Sequence, residues 1–179
     1  MKQIFSVILS GTLTVAACSV AAQESDYAGM DAVTVAQLQK APSQVPGDVV
    51  LAAIERRKWV GMSYTDNLVY PSGSIPTGKR DRMLGFLSYV PFREGHTLFQ
   101  CWVHGDMFTS LREDCEGQNK QANRPIIGYI ASAQLAGSVP LYRCLRNIPG
   151  NYKHFDSLDV NCEGARGALM EGVLGYVWL

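Results

Sequence analysis

Two stretches of this chain repeat one another in register, and each carries two cysteines. Phe108-Thr109-Ser110-Leu111 lies over Phe155-Asp156-Ser157-Leu158. Without a gap, Asp114-Cys115-Glu116-Gly117 then falls on Asn161-Cys162-Glu163-Gly164, and Ile127-Gly128-Tyr129-Ile130 on Leu174-Gly175-Tyr176-Val177. Upstream, Leu98-Phe99-Gln100-Cys101 matches Leu141-Tyr142-Arg143-Cys144, with four extra residues in the second copy around Ile148-Pro149-Gly150-Asn151. A third, eroded copy precedes them. Its closing segment Met83-Leu84-Gly85-Phe86-Leu87 echoes the Gly-aromatic pair 43 residues before Gly128, against 47 for the next interval. It starts near Trp59 and carries neither cysteine.

The repeating unit reads as short strands. Runs of four to six residues rich in aromatic and β-branched types alternate with turn formers such as His104-Gly105-Asp106, Pro149-Gly150-Asn151 and Glu163-Gly164. Segments this short cannot bury a face alone, so the copies must pack on one another. Three units of about 40 residues predict an all-β, trefoil-like closed barrel over 55–179, with copies at about 55–90, 98–130 and 139–178. A β-sandwich, or a two-copy barrel with an added hairpin, is the competing arrangement.

Five cysteines are present. The four inside the copies allow three pairings, and the repeat selects among them. Each intact copy has one on its first strand and one before Glu-Gly, which predicts Cys101–Cys115 and Cys144–Cys162. Each bond closes a loop of roughly 15 residues, worth about 3 kcal/mol on the chain-entropy estimate. Zinc is disfavoured because no close C-x-x-C spacing occurs, so no metal and no cofactor are expected.

The amino terminus explains the fifth cysteine. Lys2 precedes an apolar run, Ile4–Val15, which is too short to span a bilayer of ~30 Å, and small residues follow. Residues 1–22 read as an export signal. Val20-Ala21-Ala22 suits ordinary cleavage, whereas Val15-Ala16-Ala17-Cys18 has the form of a lipobox in which Cys18 would be acylated. Export agrees with disulfides. The expected location is an outer-membrane lipoprotein, Ser19 favouring that membrane, or else a periplasmic or secreted protein. Residues 23–54 read as a tether and short helix. Val33–Lys40 could be helical, and Asp48 could cap a second helix reaching the Arg pair at 56 and 57, with Val50, Leu51 and Ile54 facing the barrel. Arg56-Arg57-Lys58 reads as a solvated helix end.

Leu141-Tyr142-Arg143-Cys144, His154-Phe155 with Ser157, Cys162-Glu163-Gly164 and Leu174-Gly175-Tyr176 together resemble a short repeat of secreted bacterial proteins. That repeat occurs as a tail on exported hydrolases and in small lipoproteins. The resemblance covers 98–130 and 139–178, and implies a trefoil-like, lectin-type module. The first intact copy departs from it, with Met107 where the histidine stands in the second.

No catalytic constellation emerges. There is no G-x-S-x-G, H-E-x-x-H or phosphate-binding glycine loop. Of the histidines, His96, His104 and His154, the second sits in a turn and the third at a repeat position. Glu116 and Glu163 could suggest a glycosidase pair, but as symmetry-related copies beside cysteines they read as turn residues. Lys plus Arg equals Asp plus Glu, 16 each, so the basic footprint of a nucleic-acid partner is missing. The expectation is a non-catalytic module that binds carbohydrate or cell envelope and is held to the membrane by lipid. Its candidate ligand residues are Trp102 with Asp106, and Tyr152 with Asn151 and His154. A protein-binding envelope factor or an inhibitor of a secreted enzyme is the alternative.

Overall fold

The computed structural model describes residues 45–58, 67–71, 79–120, 125–149 and 151–179. The export signal, Cys18, Val33–Lys40 and Trp59 lie outside them. Among the described residues ten strands dominate: β1 (Leu51–Lys58), β2 (Asn67–Pro71), β3 (Lys79–Ser88), β4 (Gly95–Val103), β5 (Asp106–Ser110), β6 (Asn119–Lys120), β7 (Ile126–Ala131), β8 (Ser138–Ile148), β9 (Asn151–Ser157) and β10 (Ala168–Trp178). The only helical elements among the described residues are two single 3-10 turns, Cys115–Gly117 and Cys162–Gly164. No described helix is long and apolar enough to cross a membrane.

The strands group as three units, each a hairpin followed by a closing strand that returns to its first strand. β1 pairs with β2 and β3, β4 with β5 and β7, and β8 with β9 and β10, all antiparallel. In the first and third units the closing strand is bulged at the same two register positions, after Ile54 and Arg56 and after Leu141 and Arg143. The second unit is bulged between Leu98 and Phe99.

Three closing strands meet at the centre. β3 touches β10 through Phe86 and Trp178, β10 touches β7 through Tyr176 and Ala131, and β7 touches β3 through Tyr129 and Ser88. The expected closed barrel is nevertheless not formed. The sheet path is open, running from β2 to β5. Barrel closure needs neighbouring strands to ladder along their length. Here each pair of closing strands shares one register pair, because bulges bend the strands apart.

The largest core cluster takes three residues from each unit: Ile54, Leu84 and Leu87; Leu98, Ile127 and Ile130; Leu141, Leu174 and Val177. Burying each side chain contributes about 1.5–3 kcal/mol. The Gly of each Gly-aromatic pair lies where a neighbouring closing strand passes. A Cβ on Gly85, Gly128 or Gly175 would stand 2.5, 2.9 or 2.6 Å from the carbonyl oxygen of Trp178, Ser88 or Ala131.

One expectation fails at the entrance to the fold. Leu51–Lys58 is a strand, not the helix expected beyond Asp48, so the first unit begins inside the stretch assigned to the tether. Its residues have fair helix propensity, but that preference is weak and tertiary context overrides it. Two ladders, to β2 and β3, hold the segment extended, and Ile54 enters the core. Val50 is 53% exposed, and Asp48 accepts a hydrogen bond from the Arg93 backbone instead of capping a helix. Arg56 is buried, not solvated.

Both expected disulfides are present, Cys101–Cys115 and Cys144–Cys162. Each tethers a first strand to a Cys-Glu-Gly turn whose three residues all have positive φ, 51–81° in one and 52–63° in the other. Two successive non-glycine residues in that region are costly, about 1–3 kcal/mol each, and need outside support. The disulfide holds the cysteine. What holds the glutamate is a neighbouring unit.

Candidate functional site

Two residues beyond each first-strand core position stand Arg56, Gln100 and Arg143, after Ile54, Leu98 and Leu141. Alternation puts each on the same face as its core residue. Arg56 reaches from the first unit into the third. It donates to the Asp156 carbonyl at 2.8 Å and to both Glu163 carboxylate oxygens at 2.8 and 3.0 Å. Arg143 reaches from the third unit into the second in the same way, to the Thr109 carbonyl at 2.9 Å and Glu116 at 2.6 and 3.2 Å. Ser157 also donates to Glu163, at 3.0 Å, and Ser110 to Glu116, at 2.8 Å.

Each arginine has a second carboxylate from a bulge. The register skips Asp81 on β3 and Glu171 on β10, which re-aims those side chains. Arg56 Nε donates to Asp81 at 2.7 Å, and Arg143 Nε to Glu171 at 2.9 Å. These two latches join the first unit to the third, across 107 residues, and the third to the second, across 27. The unit carrying Gln100 would face the one that lacks Cys-Glu-Gly, so the arginine is replaced where no partner glutamate exists.

The latches set the charges. Hydrogen bonds from Arg143 hold Glu116 below the usual carboxylate range, against the opposing effect of burial. Burial alone would raise Glu163 and Glu171, but Arg56 and His154 respectively outweigh it and both are lowered.

A third contact welds the second unit to the third. His154 Nδ1 lies 2.5 Å from Asp106 Oδ2, which also accepts the His154 backbone N–H at 2.9 Å. His154 Nε2 lies 3.3 Å from Glu171. Burial disfavours the imidazolium, yet the two carboxylates prevail and push its pKa up to about 9. Lys153 Nζ donates to the Gly105 carbonyl at 2.9 Å and lies 3.8 Å from Asp106 Oδ1.

Asp156 lies between the latches, fully buried. Thr109 donates to its Oδ1 at 2.8 Å, while Oδ2 has no hydrogen-bond partner. Burial drives its pKa up to about 6, against the Thr109 hydrogen bond and the nearby Arg143 and Arg56. The folded chain therefore binds this proton more tightly than the unfolded chain does. The contribution to stability is complete below about pH 3.8 and is lost as pH rises through about 6. Asp156→Asn, which keeps the acceptor for Thr109, should remove that component. Urea unfolding at pH 4 and 7 should show the mutant gaining about 2 kcal/mol relative to wild type across the interval. Parallel profiles would refute the assignment.

The structure joins what the sequence kept apart. Asp106 and His154 were expected in two separate ligand sites and instead form one buried pair. Tyr152, 48% exposed, meets the His154 ring edge-on at 5.6 Å. Asn151 opens β9 opposite Ile148, and Trp102 is half-buried on β4 opposite Met107. Asp81, Asp156 and Glu171 are not marked as site residues by the sequence, and Arg56 reads there as a solvated helix end. Overlaying the residue before Cys144 on the eroded copy would have found Arg56, but no local pattern marks the two bulge carboxylates. Among the described residues no group of three or more His, Cys, Asp or Glu is arranged to hold a metal ion.

Beside the Arg143 latch opens a notch of about 140 Å³, lined by Leu111, Arg112, Glu116, Arg143, Gly172 and Val173. Leu111 and Val173 are exposed apolar residues on it. No known family model, curated protein or solved structure matches the chain.

Proposed function

We propose that this chain is a non-catalytic binding module of an exported bacterial lipoprotein, anchored through Cys18, that recognises a carbohydrate or cell-envelope polymer. In this reading the three units are a trefoil-related arrangement. The observation that carries it is Tyr152, a half-exposed ring packed perpendicular to the ring of the paired His154. A fixed amphipathic ring beside charged groups offers a face to sugar carbons and acceptors to hydroxyls at little entropic cost. Two further features support it. Arg56, Arg143 and His154 are engaged with carboxylates of other units, Glu163, Glu116 and Asp106. The disulfides are compatible with an oxidising compartment outside the cytoplasm.

A glycan array and a peptidoglycan pull-down test the reading. Wild type should be retained by at least one, and Tyr152→Ala should weaken retention about tenfold, the equivalent of one ~1.4 kcal/mol contact. No retention of the folded wild type on either would end it. The second reading, a protein-binding envelope factor, is favoured by the exposed Leu169, Met170 and Val173 along β10. Crosslinking in intact cells that captures one stoichiometric protein partner would select it.

A further inference from the structure

We infer that the notch beside Glu116 receives the guanidinium of an arginine side chain presented by a partner protein, a function beyond the polymer binding proposed above. The two latches share their arginine, glutamate and serine contacts, and on the closing strand they differ at the position opposite the arginine. Opposite Arg56 on the closing strand stands Arg82, and opposite Arg143 stands Gly172. Arg82 is half exposed, and its Nη1 lies 3.1 Å from Glu163 Oε1. It therefore gives that glutamate a second guanidinium. At the other latch this position has no side chain, a Cβ on Gly172 would meet nothing within 4 Å, and the notch occupies the space.

Glu116 shares with Glu163 the bidentate latch arginine and the serine hydroxyl, and its carboxylate borders the notch. Arg112, on the rim, is engaged by Asp114 at 2.9 and 2.6 Å. The volume equals roughly four or five water molecules, room for one long side chain and not for a folded element. Val173 and Leu111 supply apolar surface for the aliphatic stem, and the carboxylate takes the planar head. The chain thus carries, at one latch, its own example of the occupant missing at the other.

Titration of the labelled protein with N-acetyl-arginine amide, followed by amide NMR shifts, tests this. Shifts are expected at Glu116, Gly172 and Val173, with half-saturation on the order of 10 mM, weak because one exposed ion pair adds little to the apolar contact of the stem. The neutral N-acetyl-citrulline amide should produce none. Gly172→Arg should fill the notch and abolish the shifts. Arg82→Gly should open a second notch at Glu163, changing the stoichiometry from one to two. The inference is overturned if the citrulline probe binds equally, if Gly172→Arg still binds, or if Arg82→Gly gains no site. Binding of N-acetyl-lysine amide as tight as the arginine probe would also overturn it, in favour of an ammonium-bearing polymer. Glycan retention, read on the same Gly172→Arg protein, stays a separate result. Retention should survive there and fall in Tyr152→Ala, so either claim can fail alone.

Discussion

Replacing Asp106 with alanine is expected to lower stability at pH 7 by about 3–5 kcal/mol, a large part of the roughly 5–15 kcal/mol that holds a typical domain folded. Asp106 is 1% exposed and accepts from both the ring and the backbone N–H of His154. Its removal takes the carboxylate from a buried cation and breaks the weld between the second and third units. The pH profile gives an independent reading. His154 has a pKa raised from 6.5 to about 9, so the folded chain holds that proton more tightly than the unfolded chain. Its contribution is complete below pH 6.5 and disappears as pH rises through about 9. Its size is about 3 kcal/mol at 1.36 kcal/mol per pKa unit, shared between Asp106 and Glu171. Urea unfolding at pH 6 and 9.5 should show wild type losing this increment and Asp106→Ala losing much less of it. A mutant within about 1 kcal/mol of wild type, with the same pH slope, would show that the pair is not structural in this sense.

Gly175→Ala should be as damaging for a steric reason. Gly175 has φ 149°, a conformation L-residues rarely adopt, and a Cβ there would sit 2.6 Å from the Ala131 carbonyl oxygen. The obstacle is backbone, at a point where β10 and β7 share their single register pair. Neither strand can move without disturbing the central junction of closing strands. A cost of at least about 3 kcal/mol follows from backbone strain plus overpacking. Gly172→Ala, three residues earlier on the same strand, meets nothing within 4 Å and should stay within about 0.5 kcal/mol of wild type. Thermal unfolding of the two variants side by side separates close approach from a general intolerance of side chains in β10. Equal midpoints would contradict the packing described.

Part of this was legible from the residues alone. The disulfide pairing followed from the overlay, because two copies in register restrict which cysteines can meet. The closing strands followed too, since Gly85, Gly128 and Gly175 mark them in all three units. The segment after Asp48 was misread. Leu51-Ala52-Ala53-Ile54-Glu55-Arg56 has the composition of a helix, and only the pairing of Ile54 with Gly85 on one side and Pro71 on the other reveals a first strand. Tyr152 and His154, two residues apart, were placed in one candidate site. The link of His154 to Asp106, 48 residues away, was not legible.

The strands of the two cysteine-bearing copies, their turns and their sulfur bonding were set by the sequence itself, for each depends on residues within one copy, where spacing and periodicity carry the information. The openness of the sheet and the pairing of His154 with Asp106 were decided only in three dimensions. So was the reach of Arg56 to Glu163 across 107 residues. Contacts between units depend on how bulged strands bend and where their ends converge, and no periodicity along the chain encodes a meeting of side chains on different units.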